Sequence, residues 1–547
     1  MNPRMALDDL ALALQRLLDR LARRLRLGAA PARTRRRLLV VQLDGLSRVV
    51  FEEALAAGRM PFVRRLLARG GFRVVPMSVG LPSSTPAFQM AAMYGVRPDI
   101  PGFHYHDKRR RADVYFPRGD DAGWVERTQA AGRRGIVSEG STYGCIFTGG
   151  AANSLFTFAT IKRPAGRGLL RALSAVVILA WVVAKSALLS MIEVARATLR
   201  LIADPVGVSA RGWKWLAIKL GISVWLRQLF TLAASRDLYM GTPVVYVNFL
   251  DYDVVAHAYG PRHLRAFRAL HRVDRSIRVL WRVCRRVPEH RYELHVLSDH
   301  GQARCTPYAG LGGEVSIEHA LLDDFCARAT RGTRATATRR QRWRSGLASW
   351  REQRTVGMFQ RCVNYLERDF PWVLGGHRGV AERDGVRVIA AGPNAFVYFV
   401  REPAPLTIDA IDARFPGLAE DISRARGVGF VLARSPSGPV CCRRGKRYVL
   451  GADAAGPFSD RVDAPLVVAG VCDLMAMPSA GDLVIYGIDA PEGNVSYVPE
   501  VGAHAGTSPD EMQTFVLAPV AASLPTPLTH PIQLYPYFLA YQRKPAA

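Results

Sequence analysis

Carboxylates and imidazoles stand at the ends of three apolar runs in this chain. RRLLVVQLDG closes on Asp44, TPVVYVNFLDYD on Asp251 and Asp253, and ELHVLSDHG on Asp299 and His300. Side chains of these types suit a hard to borderline divalent cation, and two such cations about 4 Å apart can clamp the attacking and leaving oxygens of a phosphate. In DYDVVAHAYG, Asp253 and His257 are four residues apart, which puts them on one face if the chain turns helical there. VGAHAGTSPDE adds His504 among small residues, where the backbone can approach a metal closely. A strand-terminal Asp alone can cap a helix, and a lone His can be an ordinary core or surface residue. Their joint occurrence with a hydroxyl-bearing turn points to phosphate chemistry. That turn is LPSSTPAFQMAAMYG, where Ser83, Ser84 and Thr85 lie between Pro82 and Pro86.

The acidic groups need strands to carry them. Continuous β-rich apolar runs followed by helical patterns predict an α/β protein with a mostly parallel central sheet sandwiched by helices, and in such sheets ligands gather outside the carboxyl ends of the strands. The expected organisation is a basic amphipathic helix and linker over 1–37 and a discontinuous catalytic domain over 38–160 and 240–545. A cap or insert falls within 305–395, and a hydrophobic helical insertion over 161–239.

The chain has 547 residues, 49% of them hydrophobic, which excludes a disordered protein. Its 74 Lys plus Arg against 46 Asp plus Glu give a net charge of +28, which favours anionic partners. No nucleic-acid-binding module accompanies the charge, so nucleic acid is not the expected partner. Eight cysteines are scattered without zinc-ribbon spacing or disulfide density and read as reduced core thiols.

Two segments carry membrane character. At the N-terminus, Leu7, Leu10, Leu14, Leu17, Leu18, Leu21 and Leu25 recur at helical spacing among arginines, with no secretory signal pattern. From Ala172 to Ile192 the chain is apolar over the ~20 residues a bilayer crossing needs, broken by Lys185, and Trp213 to Ala234 is apolar and aromatic with interspersed basic residues. A membrane-dipping or membrane-resting insertion is expected, the alternative being buried or oligomer-forming helices. Of the remaining motifs, PGFHYHDKRRR (His104, His106, Asp107, Lys108) reads as an exposed loop, GLGG at 310–313 as a loop, and the arginine-rich stretch 331–354 with Trp343 and Trp350 as a solvated or membrane-facing helix.

The order VVQLDG, PSSTPAF, DYDVVAHAYGP, LSDHG, GAHAG resembles the alkaline phosphatase superfamily, in particular its nucleotide pyrophosphatase/phosphodiesterase branch. The resemblance spans roughly 38–105 and 240–305, with a further match at His504. It implies an alkaline-phosphatase-like fold and two divalent metal ions, most simply Zn2+ with Mn2+ also compatible. Asp253, His257 and His504 would hold one ion; Asp44, Asp299, His300 and the hydroxyl of Thr85 would hold the other. It also implies Thr85 as nucleophile, with Ser84 the alternative, through a phosphothreonine. A threonine hydroxyl is a poor nucleophile at neutral pH, and coordination to a dication favours its alkoxide form. The branch often carries an asparagine shortly after the nucleophile; Phe88 stands at about that place here, facing either the substrate or the core.

The leading reading is therefore a membrane-associated two-metal phosphodiesterase or phosphatase acting on a phosphorylated small molecule or lipid. Alternatives are a phospho-group transferase of the same superfamily acting on lipid or glycan, and a non-catalytic membrane scaffold. An anionic membrane surface is the expected partner. The cytoplasmic face of the inner membrane is the expected location, with the extracytoplasmic face as the alternative.

Overall fold

In the computed structural model, residues 36–155, 183–192, 194–195, 198, 221–311, 316–322 and 380–542 are described. They fall into two compact units, one built from Met1–Pro98, Arg118–Gln302 and Pro509–Ala547 and the other from Asp99–Pro117 and Ala303–Ser508.

The first unit contains the expected sheet. Its elements include β1 (Arg37–Leu43), α1 (Arg48–Ala56), α2 (Pro61–Ala68), β2 (Phe72–Ser78), α3 (Thr85–Tyr94), β3 (Ser141–Tyr143), β4 (Asn153–Leu155), α4 (Arg227–Met240), β5 (Val244–Phe249), α5 (Asp251–Tyr259), α6 (Leu264–Arg286), β6 (Tyr292–Leu297) and β7 (Gln513–Pro519). The strand order is β2-β7-β6-β1-β5-β3-β4. β1 pairs in parallel with both β5 and β6, and β3 with β5 and β4, while β7 runs antiparallel to β6 and to β2. Every residue of β1 and β5 is buried, which is why their sequences are continuous apolar runs rather than alternating ones.

Register brings the acidic motifs together. Leu43 lies opposite Phe249, and Gln42 opposite Leu297. The residues that follow, Asp44, Asp251 and Asp299, therefore leave the sheet at one edge. The 23-residue α6 shields this core along Ala266, Ala269, Leu270, Val273, Ile277, Leu280 and Val283, a buried stripe at helical spacing with arginines between. Truncating a fully buried member such as Leu270 to alanine costs about 2–5 kcal/mol.

The second unit was not legible as a separate sheet. The seven strands of its main sheet run in the spatial order Val380–Arg383, Val386–Ala390, Asn394–Phe399, Leu483–Tyr486, Phe430–Ala433, Val440–Arg443, Lys446–Val449, and each neighbouring pair is antiparallel.

The stretch expected as an exposed loop, PGFHYHDKRRR, instead forms a hairpin in the second unit, His104–Asp107 paired with Ala112–Tyr115. Its polar residues are buried because they are matched. His106 Nδ1 lies 2.9 Å from Asp113 Oδ1, Arg387 lies on the other Asp113 oxygen, and Lys108 Nζ is 2.7 Å from Asp482 Oδ2. The segment expected as an interfacial helix over 213–234 is described from residue 221, where α4 buries Phe230, Ala234 and Leu238 in the first unit's core. Among the described residues no helix is long and apolar enough to cross a membrane. Residues 1–35, 156–182 and 323–379 lie outside the described residues, and with them the N-terminal helix, much of the 172–192 segment and the 331–354 stretch.

Candidate functional site

Asp44 follows the last residue of β1, and its N–H donates to Phe249 O at 3.2 Å, extending the β1–β5 ladder by one bond. The chain then turns at Gly45, whose φ of +74° is the left-handed region that a residue with a Cβ rarely adopts. A Cβ here would also stand 2.5 Å from Asp253 Oδ1 and 3.0 Å from Gln302 Nε2. Glycine thus lets the Asp253 carboxylate close on the end of β1. The ends of β1 and β6 are tied through Ser298: its hydroxyl donates to Leu43 O at 2.7 Å and accepts from the Leu46 N–H at 3.0 Å.

At this edge Asp44, Asp299 and His300 each offer a ligand atom, all within 4.8 Å of one another. His300 Nε2 lies 3.4 Å from Asp44 Oδ1 and 3.6 Å from Asp299 Oδ2. Its Nδ1 donates to Gly301 O at 3.0 Å, which fixes the ring so that Nε2 faces the two carboxylates. Thr85, first residue of α3, brings its Oγ1 to 3.2 Å from Asp44 Oδ1 and 3.1 Å from His300 Nε2. All four residues are buried.

Burial and mutual repulsion dominate the electrostatics. Burial, together with the nearby Asp253 charge, raises the pKa of Asp44. Burial and the Asp44 carboxylate push Asp299 up to about 7. Burial alone would lower His300, but the facing Asp299 and Asp44 carboxylates outweigh it and raise this group to about 9.

Asp253 and His257 share one face of α5, as their spacing predicted, with His257 Nε2 3.4 Å from Asp253 Oδ2. Gln302 Nε2 donates to Asp253 Oδ1 at 2.5 Å and fixes that carboxylate. Asp251 does different work: it is buried in an ion pair with Arg227 of α4, Nε to Oδ1 3.1 Å. His504 belongs to the second unit, where it follows the short strand Gly502–Ala503; its assignment as a ligand rests on the sequence resemblance. Phe88, on α3 three residues after Thr85, is buried at 2% exposed, as are the site residues themselves.

Three supporting residues escaped the sequence reading. Asn248 Nδ2 donates to Asp44 Oδ2 at 2.7 Å, and Ser298 and Gln302 hold the strand end and Asp253 as described. Ser298 and Gln302 each adjoin the DHG motif, a positional signal that their types alone did not carry.

The cluster fits a divalent cation on its own chemistry. Two buried carboxylates face one imidazole, and among the described residues His300 is the only cationic partner either of them has. Asp299 Oδ2 is buried with no hydrogen-bond partner, a costly state for a charged oxygen unless a cation occupies its lone pairs. Oxygen and nitrogen donors of this kind are the set that hard and borderline dications prefer.

Residues 38–340, more than half of the chain, match the model for type I phosphodiesterase / nucleotide pyrophosphatase. The chain belongs to that family. The type I phosphodiesterases lie in the alkaline phosphatase superfamily that the motif order resembles, and membership makes this protein a metal-dependent phosphoric ester hydrolase. A comparison with curated proteins gives no match. Among solved structures, phosphonoacetate hydrolase from Sinorhizobium meliloti 1021 is similar in its complex with phosphonoformate, at 14% identity and a TM-score of 0.48. Its complex with phosphonoacetate gives 14% and 0.46. Each comparison covers 93% of this chain and 96% of the other.

Proposed function

We propose that this phosphodiesterase-family protein cleaves a phosphate ester or diester through a phosphothreonine at Thr85, while held at an anionic membrane surface. The observation that carries the chemistry is the position of Thr85 Oγ1, at the start of a helix and 3.2 Å from Asp44 Oδ1.

Asp44, Asp299, His300 and Thr85 would hold one divalent ion. Asp253 and His257 supply ligands for a second, and the resemblance adds His504 to that set. Zinc suits the mixed oxygen and nitrogen donors, and manganese is compatible. When bound, such ions supply Lewis-acid activation of the hydroxyl and charge neutralisation at phosphorus and the leaving oxygen.

The chain's own groups do the rest. The hydrogen bond from Thr85 to Asp44 aims the hydroxyl oxygen and gives its proton an acceptor. Attack forms the Thr85 O–P bond and breaks the bond from phosphorus to the leaving oxygen, which departs as the alcohol once protonated. Water then forms a new O–P bond from the vacated side, the Thr85 O–P bond breaks, and the threonine hydroxyl is restored. The N-terminus of α3 favours the anionic phosphoryl group throughout.

The membrane reading rests on the helix over 183–192. Val183, Leu188 and Met191 are 44%, 55% and 68% exposed, and Val194 beyond them is 42% exposed, giving apolar residues at helical spacing toward solvent. Trp225 Nε1 donates to Ser190 Oγ at 3.0 Å and ties this helix to the π-helical segment Gly221–Leu226 that runs into α4. With a net charge of +28, an anionic bilayer is the surface that complements it. A lipid-like phosphate ester then becomes the favoured substrate class.

Purified protein should contain about two divalent metal equivalents and hydrolyse an aryl phosphodiester. Turnover surviving full chelation would refute the metal assignment. Flotation with anionic liposomes should weaken when Leu188 and Met191 are both changed to serine. Equal flotation would remove this helix as the anchor.

A further inference from the structure

α3 starts in an unusual way. Ser84 is its N-cap residue, with extended φ and ψ of −145° and 148°, and serine is among the residues best suited to accept from the N–H groups of the first turn. Here it does not: the Ser84 side chain makes no capping hydrogen bond. Its Oγ is buried without a hydrogen-bond partner, and the residue is 1% exposed. Pro86 at the second helical position has no N–H to offer, and among the described residues the Ala87 N–H forms no backbone hydrogen bond and receives no capping side chain. A hydroxyl and a helix-end amide are thus left unsatisfied beside Thr85. A buried polar group without a partner costs about 1–3 kcal/mol, so leaving one here calls for a ligand that repays it.

The ligand has a definite chemistry. The amino end of a ten-residue helix carries partial positive charge, and its free N–H donors match anionic oxygen. We propose that Ser84 Oγ and the Ala87 N–H form an anion cradle that binds a nonbridging oxygen of the phosphoryl group under attack by Thr85. This deepens the phosphothreonine reading and rests on it for its catalytic meaning. Ser84 then serves as a substrate-binding group and not as a second nucleophile. The neighbouring hydroxyls divide the work: Thr85 forms the bond to phosphorus, and Ser84 donates a hydrogen bond to the oxygen on which charge builds.

The test separates binding from turnover. Calorimetric titration of inorganic phosphate into metal-loaded, full-length Thr85→Ala protein reads the cradle without any reaction. Adding Ser84→Ala to that background should weaken phosphate binding roughly 10-fold to 100-fold, the scale of one hydrogen bond to a charged group. Ser84→Thr, which keeps the hydroxyl, should stay within about threefold of the parent. The thermal midpoint of Ser84→Ala should not fall, because the change removes a buried hydroxyl that has no partner. Phosphate affinity unchanged by Ser84→Ala would overturn the proposal, as would Ser84→Thr binding no better than Ser84→Ala. If Thr85→Ala alone retains turnover, the phosphothreonine reading fails, and the titration still decides the anion cradle.

Discussion

Asn248 donates a 2.7 Å hydrogen bond from Nδ2 to Asp44 Oδ2, the carboxylate oxygen turned away from Thr85. The carboxyl end of β5 thereby fixes the orientation of the carboxylate that follows β1. Groups that orient a ligand in this way typically change metal affinity or activity by about 10–100-fold when removed. Asn248→Ala should lower divalent-metal affinity by an amount in that range, measured by competition with a chromophoric chelator. Affinity equal to the parent would mean that Asp44 is held by the strand alone.

Gly45 gives a second test. An alanine here meets both a φ of +74° and Asp253 Oδ1 at 2.5 Å. The left-handed conformation alone costs an L-residue about 1–2 kcal/mol, and Asp253 must also move. Gly45→Ala should lower the thermal midpoint and reduce bound metal from about two equivalents toward one. A variant that keeps full stability and full metal content would contradict the close approach.

His295 in β6 makes a prediction about pH that is independent of the metals. It is fully buried, Nε2 lies 2.8 Å from the Tyr537 hydroxyl, and the rings of Tyr537, Phe538 and Tyr541 surround it. Burial lowers its pKa from 6.5 to about 4. Between those values the unfolded chain binds a proton that the folded chain does not, so stability rises with pH across that window and is lost as pH falls through it. The loss is about 3 kcal/mol. Denaturant midpoints from pH 7 to pH 4 should fall less steeply for His295→Gln than for the parent. Parallel slopes would exclude His295 as a source of acid sensitivity.

Much of this site could be read before the structure. β1, β5 and β6 are almost wholly buried, so their runs are mainly apolar and the acidic residue just past each run stands out. The four-residue spacing of Asp253 and His257 needed only a helix. Asn248 gave no such signal, because a hydrogen bond to Asp44 depends on register between strands 204 residues apart. The hairpin at His104–Asp107 was misread for a related reason. Polar residues predict exposure unless each has a partner, and Asp113, Arg387 and Asp482 come from distant or unmarked positions. The antiparallel sheet of the second unit has short strands and no chemical motif to announce it.

The proposed chemistry turns on transfer of the phosphoryl group to Thr85. Acid quenching of the metal-loaded protein during turnover of a phosphorus-labelled aryl phosphodiester, followed by peptide mapping, tests it directly. Label should appear on Thr85 and be absent from Thr85→Ala. Turnover with no labelled residue, or with the label on Ser84 or another side chain, would contradict it.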